Sequence, residues 1–243
     1  MHGFTGGGAD WSRVFPDDPT RLAIDLPGHL TSPDPPGGYL ESIRALLATL
    51  PASIDDVIGY SLGGRIALSL IQLAPDRFRT ATILSAHPGL RDPSLRAQRR
   101  LADQVWIRLL REHGLDAFVT AWEQQPLFRT QARLAPELLA QQRARRLSHR
   151  PDGLACVLER LGLGEMPSTW DALADYRGQL NWIIGSEDRR FQAIAHTVLA
   201  QRPATRLMVL EAVGHNPLLE APERVLAAVS FQLIQSRDAP RAV

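Results

Sequence analysis

The chain has 243 residues, 44% of them hydrophobic, which suffices for one substantial core in an α/β domain with an insertion. A formal net charge of +1 leaves no global field favouring nucleic acid, and no apolar run approaches the ~20 residues needed to cross a bilayer. The lone Cys156 excludes an intramolecular disulfide, and the apolar stretch 154–158 around it reads as the setting of a buried structural thiol. No basic stretch followed by an apolar one marks a signal peptide, so a soluble cytoplasmic protein is expected. All 27 basic residues are arginine, a compositional bias that leaves a functional reading only to arginines in special places.

The chain opens on Met1-His2-Gly3-Phe4, a turn of the kind that follows a strand, yet no strand precedes it. Segment 21–25 reads as the first buried strand, 34–38 as a Pro/Gly loop and 40–50 as a helix. Strand 55–59, helix 62–73 and strand 80–84 follow. Between 88 and 170 the alternation breaks, and helical periodicity recurs at 95–112, 115–123, 136–148 and 153–161 without convincing strands. It resumes with strand 180–184, helix 191–199, strand 206–210 and helix 222–235, where Pro222 falls near a first turn that tolerates its missing N–H. The last residues, 238–243, read as a frayed tail. Continuously apolar strands separated by helices predict a doubly wound, mostly parallel sheet with helices on both faces. On this reading 1–87 and 171–243 form the core, and 88–170 a helical cap over the carboxyl ends of the strands.

Between strand 55–59 and helix 62–73 stands Gly59-Tyr60-Ser61-Leu62-Gly63-Gly64-Arg65. Strand, tight turn, serine and helix are the context of a nucleophile elbow in an α/β-hydrolase fold, and glycines at 59 and 63 permit the strained turn. That fold normally has a mid-sheet strand between those represented here by 21–25 and 55–59. A gap there would leave backbone groups unpaired, so N-terminal strands read as missing and the natural product is expected to begin upstream of Met1.

Serine is a weak nucleophile and base at neutral pH, so it needs a histidine, and the histidine needs an acid to orient it. His215, in the loop between the last strand and the last helix, is the best histidine; His2 and His29 precede the serine, and His87 follows it too soon. Asp188, just past strand 180–184, is the best acid, with Glu187 and then Asp171 as weaker alternatives. A surface-loop histidine and a solvated acid are the competing readings, and the chain order of the three residues speaks against both. Backbone N–H groups of Leu62 and Phe4 would supply an oxyanion pocket, with Gly6-Gly7-Gly8 allowing close approach of a substrate. Arg65 lies one helical turn after Ser61, near a helix start that disfavours a cation, so it requires an anion: a structural carboxylate or a substrate one.

The elbow, Ser85-Ala86-His87-Pro88-Gly89-Leu90, and Trp122-Glu123-Gln124-Gln125-Pro126-Leu127-Phe128 together closely resemble the 2-succinyl-6-hydroxy-2,4-cyclohexadiene-1-carboxylate synthases, a family of menaquinone and phylloquinone biosynthesis. The likeness runs from His2 to the C-terminal helix, and the third motif is the specific one, since ordinary esterases have no reason to share it. The resemblance implies a lyase in a hydrolase fold that removes pyruvate from 2-succinyl-5-enolpyruvyl-6-hydroxy-3-cyclohexene-1-carboxylate, a small tricarboxylate, without metal or organic cofactor. The triad serine would act as a general base. Carried over residue by residue, the resemblance places Ser61, Asp188 and His215 on the triad and Phe4 and Leu62 on the oxyanion donors. It places Tyr60, Arg65, Arg99, Trp122 and Arg143 on substrate-binding positions. Planar guanidinium groups suit a tricarboxylate, because each binds a carboxylate through two parallel hydrogen bonds.

Arg99 and Arg143 each lie in an arginine-rich run that could be a solvated helix face, and Trp122 could be a core residue; the flanking motifs favour the cleft. Two other readings compete with the lyase. A serine carboxylesterase or carbon–carbon bond hydrolase would use the same triad but would favour an apolar cleft. A non-catalytic binding protein of this fold would have no need to keep serine, acid, histidine and oxyanion loops together. No nucleic-acid or membrane partner is expected.

Overall fold

The computed structural model describes residues 1–16 and 18–237, the side chains of 231–237 excepted. Four strands, β1 (Asp56–Tyr60), β2 (Thr80–Leu84), β3 (Gln179–Gly185) and β4 (Arg206–Leu210), lie side by side in that order, all parallel. The register sets Asp56 opposite Thr80, Thr80 opposite Gln179, and Asn181 opposite Arg206. The helices are α1 (Tyr39–Thr49) and α2 (Leu62–Leu73), then α3 (Pro93–Glu123), α4 (Pro136–Arg146), α5 (Pro151–Leu161) and α6 (Trp170–Asp175) between β2 and β3. They end with α7 (Arg189–Gln201), α8 (Pro217–Glu220) and α9 (Pro222–Arg237).

Successive strand residues point to opposite faces, and the apolar content of both faces calls for helices on each. Leu180, Trp182 and Ile184 of β3, with Ala81 and Ile83 of β2, pack against α1, α2, α6 and α7. Ile183 and Leu84 face the other way, toward Val225, Ala228 and Val229 of α9 and Trp11 of a short 3-10 turn, Gly8–Arg13. Strand β2 is buried throughout, while β4 at the sheet edge is only half-buried.

The helices between β2 and β3 build a separate apolar cluster, with Ile107, Leu110, Phe118 and Val119 of α3 against Leu154, Ala155 and Leu158 of α5. Asp92 starts α3 by accepting the Ser94 N–H at 2.7 Å, with Pro93 in the first turn where no N–H is needed. The expected helices 95–112 and 115–123 are one element bent at Gly114, whose φ of 78° is open to glycine and strained for other residues. Four helical pieces escaped the periodicity for lack of length: Gly8–Arg13, Pro126–Arg133, α6 and α8. The expected tail 238–243 lies outside the described residues.

One expected strand is not a strand. Residues 21–25 run without ladder pairing, and Leu22 is 51% exposed. Among the described residues, the place beside β1 is held by the first residues of the chain: the Met1 amino group donates to Ile58 O (2.8 Å) and Tyr60 N–H to Met1 O (3.1 Å). The segment after 21–25 meets this run at a single backbone donor, Leu26 N–H, which reaches His2 Nε2 at 2.9 Å. A β-rich sequence without a neighbouring backbone to pair with stays irregular.

Candidate active site

Ser61 stands between β1 and α2 with φ 51° and ψ −107°, a conformation that strains any residue with a Cβ. The turn is possible because the chain closes on itself around glycines: a Cβ on Gly59 would lie 2.2 Å from Gly63 O, and one on Gly63 would lie 2.4 Å from Met1 O. Ser61 N–H donates to Leu84 O at 2.9 Å, which fastens the elbow to the end of β2.

The carboxyl ends of β3 and β4 deliver the partners. His215 Nε2 lies 3.1 Å from Ser61 Oγ, and His215 Nδ1 lies 2.7 Å from Asp188 Oδ2, with both partners of the second contact buried. The two loops are tied to each other, since Glu187 N–H donates to Val213 O at 2.9 Å. Glu220, which sequence reasoning missed, accepts Gly214 N–H at 2.7 Å and Asn216 N–H at 3.1 Å, gripping the chain on both sides of His215. The Phe191 ring stands 4.5 Å from the imidazole and the Tyr60 ring 5.5 Å. Burial raises the Tyr60 phenol well above its ordinary range, so it stays neutral. The weaker acid candidates are engaged elsewhere. Glu187 is forked onto Arg133 at 2.6 and 2.8 Å, and Asp171 is exposed beside Arg91.

The Phe4 and Leu62 N–H groups have no acceptor among the described residues, and Gly3, Phe4 and Ser61 line one cavity. Leu62 opens α2, where an unpaired N–H and the positive end of the helix dipole coincide. The Phe4 side chain inserts into an aromatic cluster from the inserted helices, edge-on to Trp122 at 5.2 Å and Phe118 at 6.2 Å. Trp122 also lines the cavity, and its Nε1 is buried without a partner among the described residues.

The arginines are arranged differently from the expectation. The cavity over Ser61 is lined by Arg13, Arg145 and Arg146, and by none of Arg65, Arg99 or Arg143. Arg143 faces away, donating to Glu123 Oε2 (2.7 Å), Asp116 Oδ1 (2.9 Å) and Thr120 Oγ1 (3.0 Å). Arg146, one helical turn further along α4, is buried, donates to Glu123 Oε1 at 2.9 Å and stacks 5.1 Å over the Phe128 ring. Arg65 donates to Leu161 O at 2.7 Å, and burial pushes it down to about 10, so it stays a cation. Arg99 pairs with the buried Asp103 at 2.9 Å. Near these cations, burial first and then Arg190, Arg65 and Arg99 push His87 down to about 4, leaving it neutral.

An elbow serine, an acid and a histidine delivered in that order from the strand ends of a parallel sheet define a class. The chain belongs to the alpha/beta hydrolase family, whose model matches residues 1–228. Within that class it belongs to the 2-succinyl-6-hydroxy-2,4-cyclohexadiene-1-carboxylate synthases. It is 34% identical over 241 residues to the synthase of that name from Salmonella agona, covering 95% of this chain and 90% of the relative. Its structure is similar to that of MenH from S. aureus, with a TM-score of 0.89 and 26% identity over 98% of this chain and 93% of that one. A thermophilic esterase from Thermogutta terrifontis, at 23% identity and a TM-score of 0.79, shares the fold over 97% of this chain and 88% of its own.

Proposed function

We propose that this chain eliminates pyruvate from 2-succinyl-5-enolpyruvyl-6-hydroxy-3-cyclohexene-1-carboxylate, giving 2-succinyl-6-hydroxy-2,4-cyclohexadiene-1-carboxylate, a step of menaquinone biosynthesis. The observation that carries the reading is a Ser-His-Asp chain opening into a cavity walled by arginines, in a chain similar to these synthases over nearly its whole length. A cleft for neutral esters gains nothing from such cations and bears the cost of desolvating them.

The substrate's C2–H is flanked by the succinyl ketone and the C3=C4 double bond, which makes it acidic. His215 takes the Ser61 hydroxyl proton, Asp188 holds the imidazolium that forms, and Ser61 Oγ removes the C2 proton. The electron pair moves through the ring as the C5–O bond breaks; the departing enolpyruvate takes the proton held on the His215 imidazolium, and the enol then tautomerises to pyruvate. Negative charge builds on the ketone oxygen, where the Phe4 and Leu62 N–H groups receive it. Arg146 and the Trp122 indole N–H bind the substrate's carboxylates in the cavity. Arg65 of α2 and Arg99 of α3 lie outside the cavity lining and contribute positive charge to the site without contacting it. The inserted segment 88–170 serves as the cap that supplies Trp122 and Arg146.

A coupled assay for pyruvate, run with the enolpyruvyl substrate against a no-enzyme control, tests the reading. Pyruvate release well above the spontaneous rate is expected, with simple esters hydrolysed poorly. Good ester hydrolysis without pyruvate release would favour a carboxylesterase of the same fold.

A further inference from the structure

We propose that Arg13 and Arg145 form an anion subsite at the rim of the Ser61 cavity for the succinyl carboxylate, and that Asp10 occupies Arg145 until substrate arrives. The inference rests on the substrate proposed above and names which of its carboxylates meets which cations. Both arginines line the same cavity as Ser61 and His215, from different elements: Arg13 from the 3-10 turn Gly8–Arg13 and Arg145 from α4. Arg13 is exposed and makes no hydrogen bond or ion pair among the described residues. Arg145 is half-buried, and its Nη1 donates to Asp10 Oδ1. The other Asp10 oxygen accepts Gly7 N–H at 3.0 Å, so the carboxylate is anchored to the loop that carries the oxyanion turn.

A carboxylate set against a guanidinium, inside the cavity that holds the reacting serine, has the place and the chemistry of a substrate carboxylate. It keeps a partly desolvated cation paired and correctly turned while the site is empty. Arg146 is different, because Glu123 and Phe128 already hold it. Exchange of Asp10 for a substrate carboxylate keeps Arg145 paired, and Arg13 then adds a cation that has no partner among the described residues. The geometry of the substrate selects the carboxylate. With the ketone oxygen on the Phe4 and Leu62 N–H groups, the succinyl chain extends two methylenes further and ends in the carboxylate that reaches outward to the rim.

The probe for this subsite is 4-oxopentanoate, which carries a ketone and a carboxylate at the succinyl spacing; its methyl ester is the neutral control. Binding is followed through intrinsic tryptophan fluorescence, to which Trp122 in the cavity contributes, alongside KM for the enolpyruvyl substrate. Arg13→Gln and Arg145→Gln each weaken 4-oxopentanoate binding about three- to tenfold, as befits partly exposed charge-assisted pairs, and Arg145→Lys recovers part of the loss. Asp10→Asn, which keeps an acceptor for Gly7 N–H, tightens binding. Opposite signs for Asp10→Asn and Arg145→Gln mark a placeholder, whereas a purely structural strap would weaken with either change. Weaker binding by Asp10→Asn, wild-type affinity in Arg13→Gln, or equal binding of acid and ester overturns the proposal. A wild-type protein that binds 4-oxopentanoate with these signs yet releases no pyruvate would sink the lyase reading and leave the subsite standing.

Discussion

Glu220 does for the histidine loop what no hydrophobic contact can. Its two carboxylate oxygens accept the backbone N–H groups on either side of His215, at 2.7 and 3.1 Å. Glu220→Ala orphans both donors, and a loss of about 1–3 kcal/mol in unfolding free energy is expected, with kcat falling alongside; Glu220→Gln keeps one acceptor and recovers part of both. Chemical denaturation and pyruvate release measure the two effects. At Ser61, substitution by alanine lowers pyruvate release by about 10³-fold or more, because base and proton path vanish together. Arg146→Ala raises KM by about tenfold or more through lost charge-assisted contacts, and Arg143→Ala raises it less, because Arg143 acts through the shared Glu123. The positions of Ser61, Asp188 and His215 are legible because each follows a strand end. Nothing in Arg143-Ala144-Arg145-Arg146 says which guanidinium turns inward, since that depends on where Glu123 and Phe128 pack. Glu220 hides for a related reason: a lone acid in a short helix looks like a solvated one.

At the scale of elements, the strand-turn-helix unit around Ser61 is fixed by backbone proximity. Gly63→Ala would push a Cβ to 2.4 Å from Met1 O and 2.6 Å from His2 O, where only backbone could yield. An overpacking cost of about 1–3 kcal/mol or more is expected from thermal unfolding, along with displacement of the Met1–Phe4 segment. Gly114 in α3 offers a contrast, since open space surrounds its Cβ position and only its φ of 78° resists substitution. Gly114→Ala should therefore cost about 1–3 kcal/mol through backbone strain alone, by the same measurement. Most elements are readable in the apolar periods, with β2 and β4 falling on 80–84 and 206–210. Segment 21–25 misleads because its apolar residues promise a ladder, and a ladder depends on a neighbour that local sequence does not describe.

Over the whole molecule, two apolar assemblies meet at the turn around Phe4, whose side chain packs against both the sheet core and the aromatic cluster of the inserted helices. Beneath that junction lie three histidines, with His2 4.7 Å from His29 and His29 5.4 Å from His149. Burial pushes His2 down to about 3, His29 well below its ordinary value, and His149 lower as well. The unfolded chain binds these protons near pH 6.5 and the folded one does not, so stability is present in full above that pH and falls as pH drops below it. Each imidazole contributes up to about 1.4 kcal/mol per pH unit to the slope, continuing toward about pH 3 for His2. Melting temperatures measured from pH 7.5 to 5 should decline steadily. His149→Asn, which preserves an acceptor for the Leu30 N–H, should flatten the decline.

On the proposed mechanism Ser61 removes a proton from carbon instead of attacking a carbonyl. The most direct test compares pyruvate release from substrate carrying hydrogen or deuterium at C2, as kcat/KM, with intact protein mass followed in the same reactions. Slower release from the deuterated substrate, with the protein mass unchanged throughout turnover, is the predicted result. Equal rates accompanied by a covalent adduct on Ser61 would contradict it.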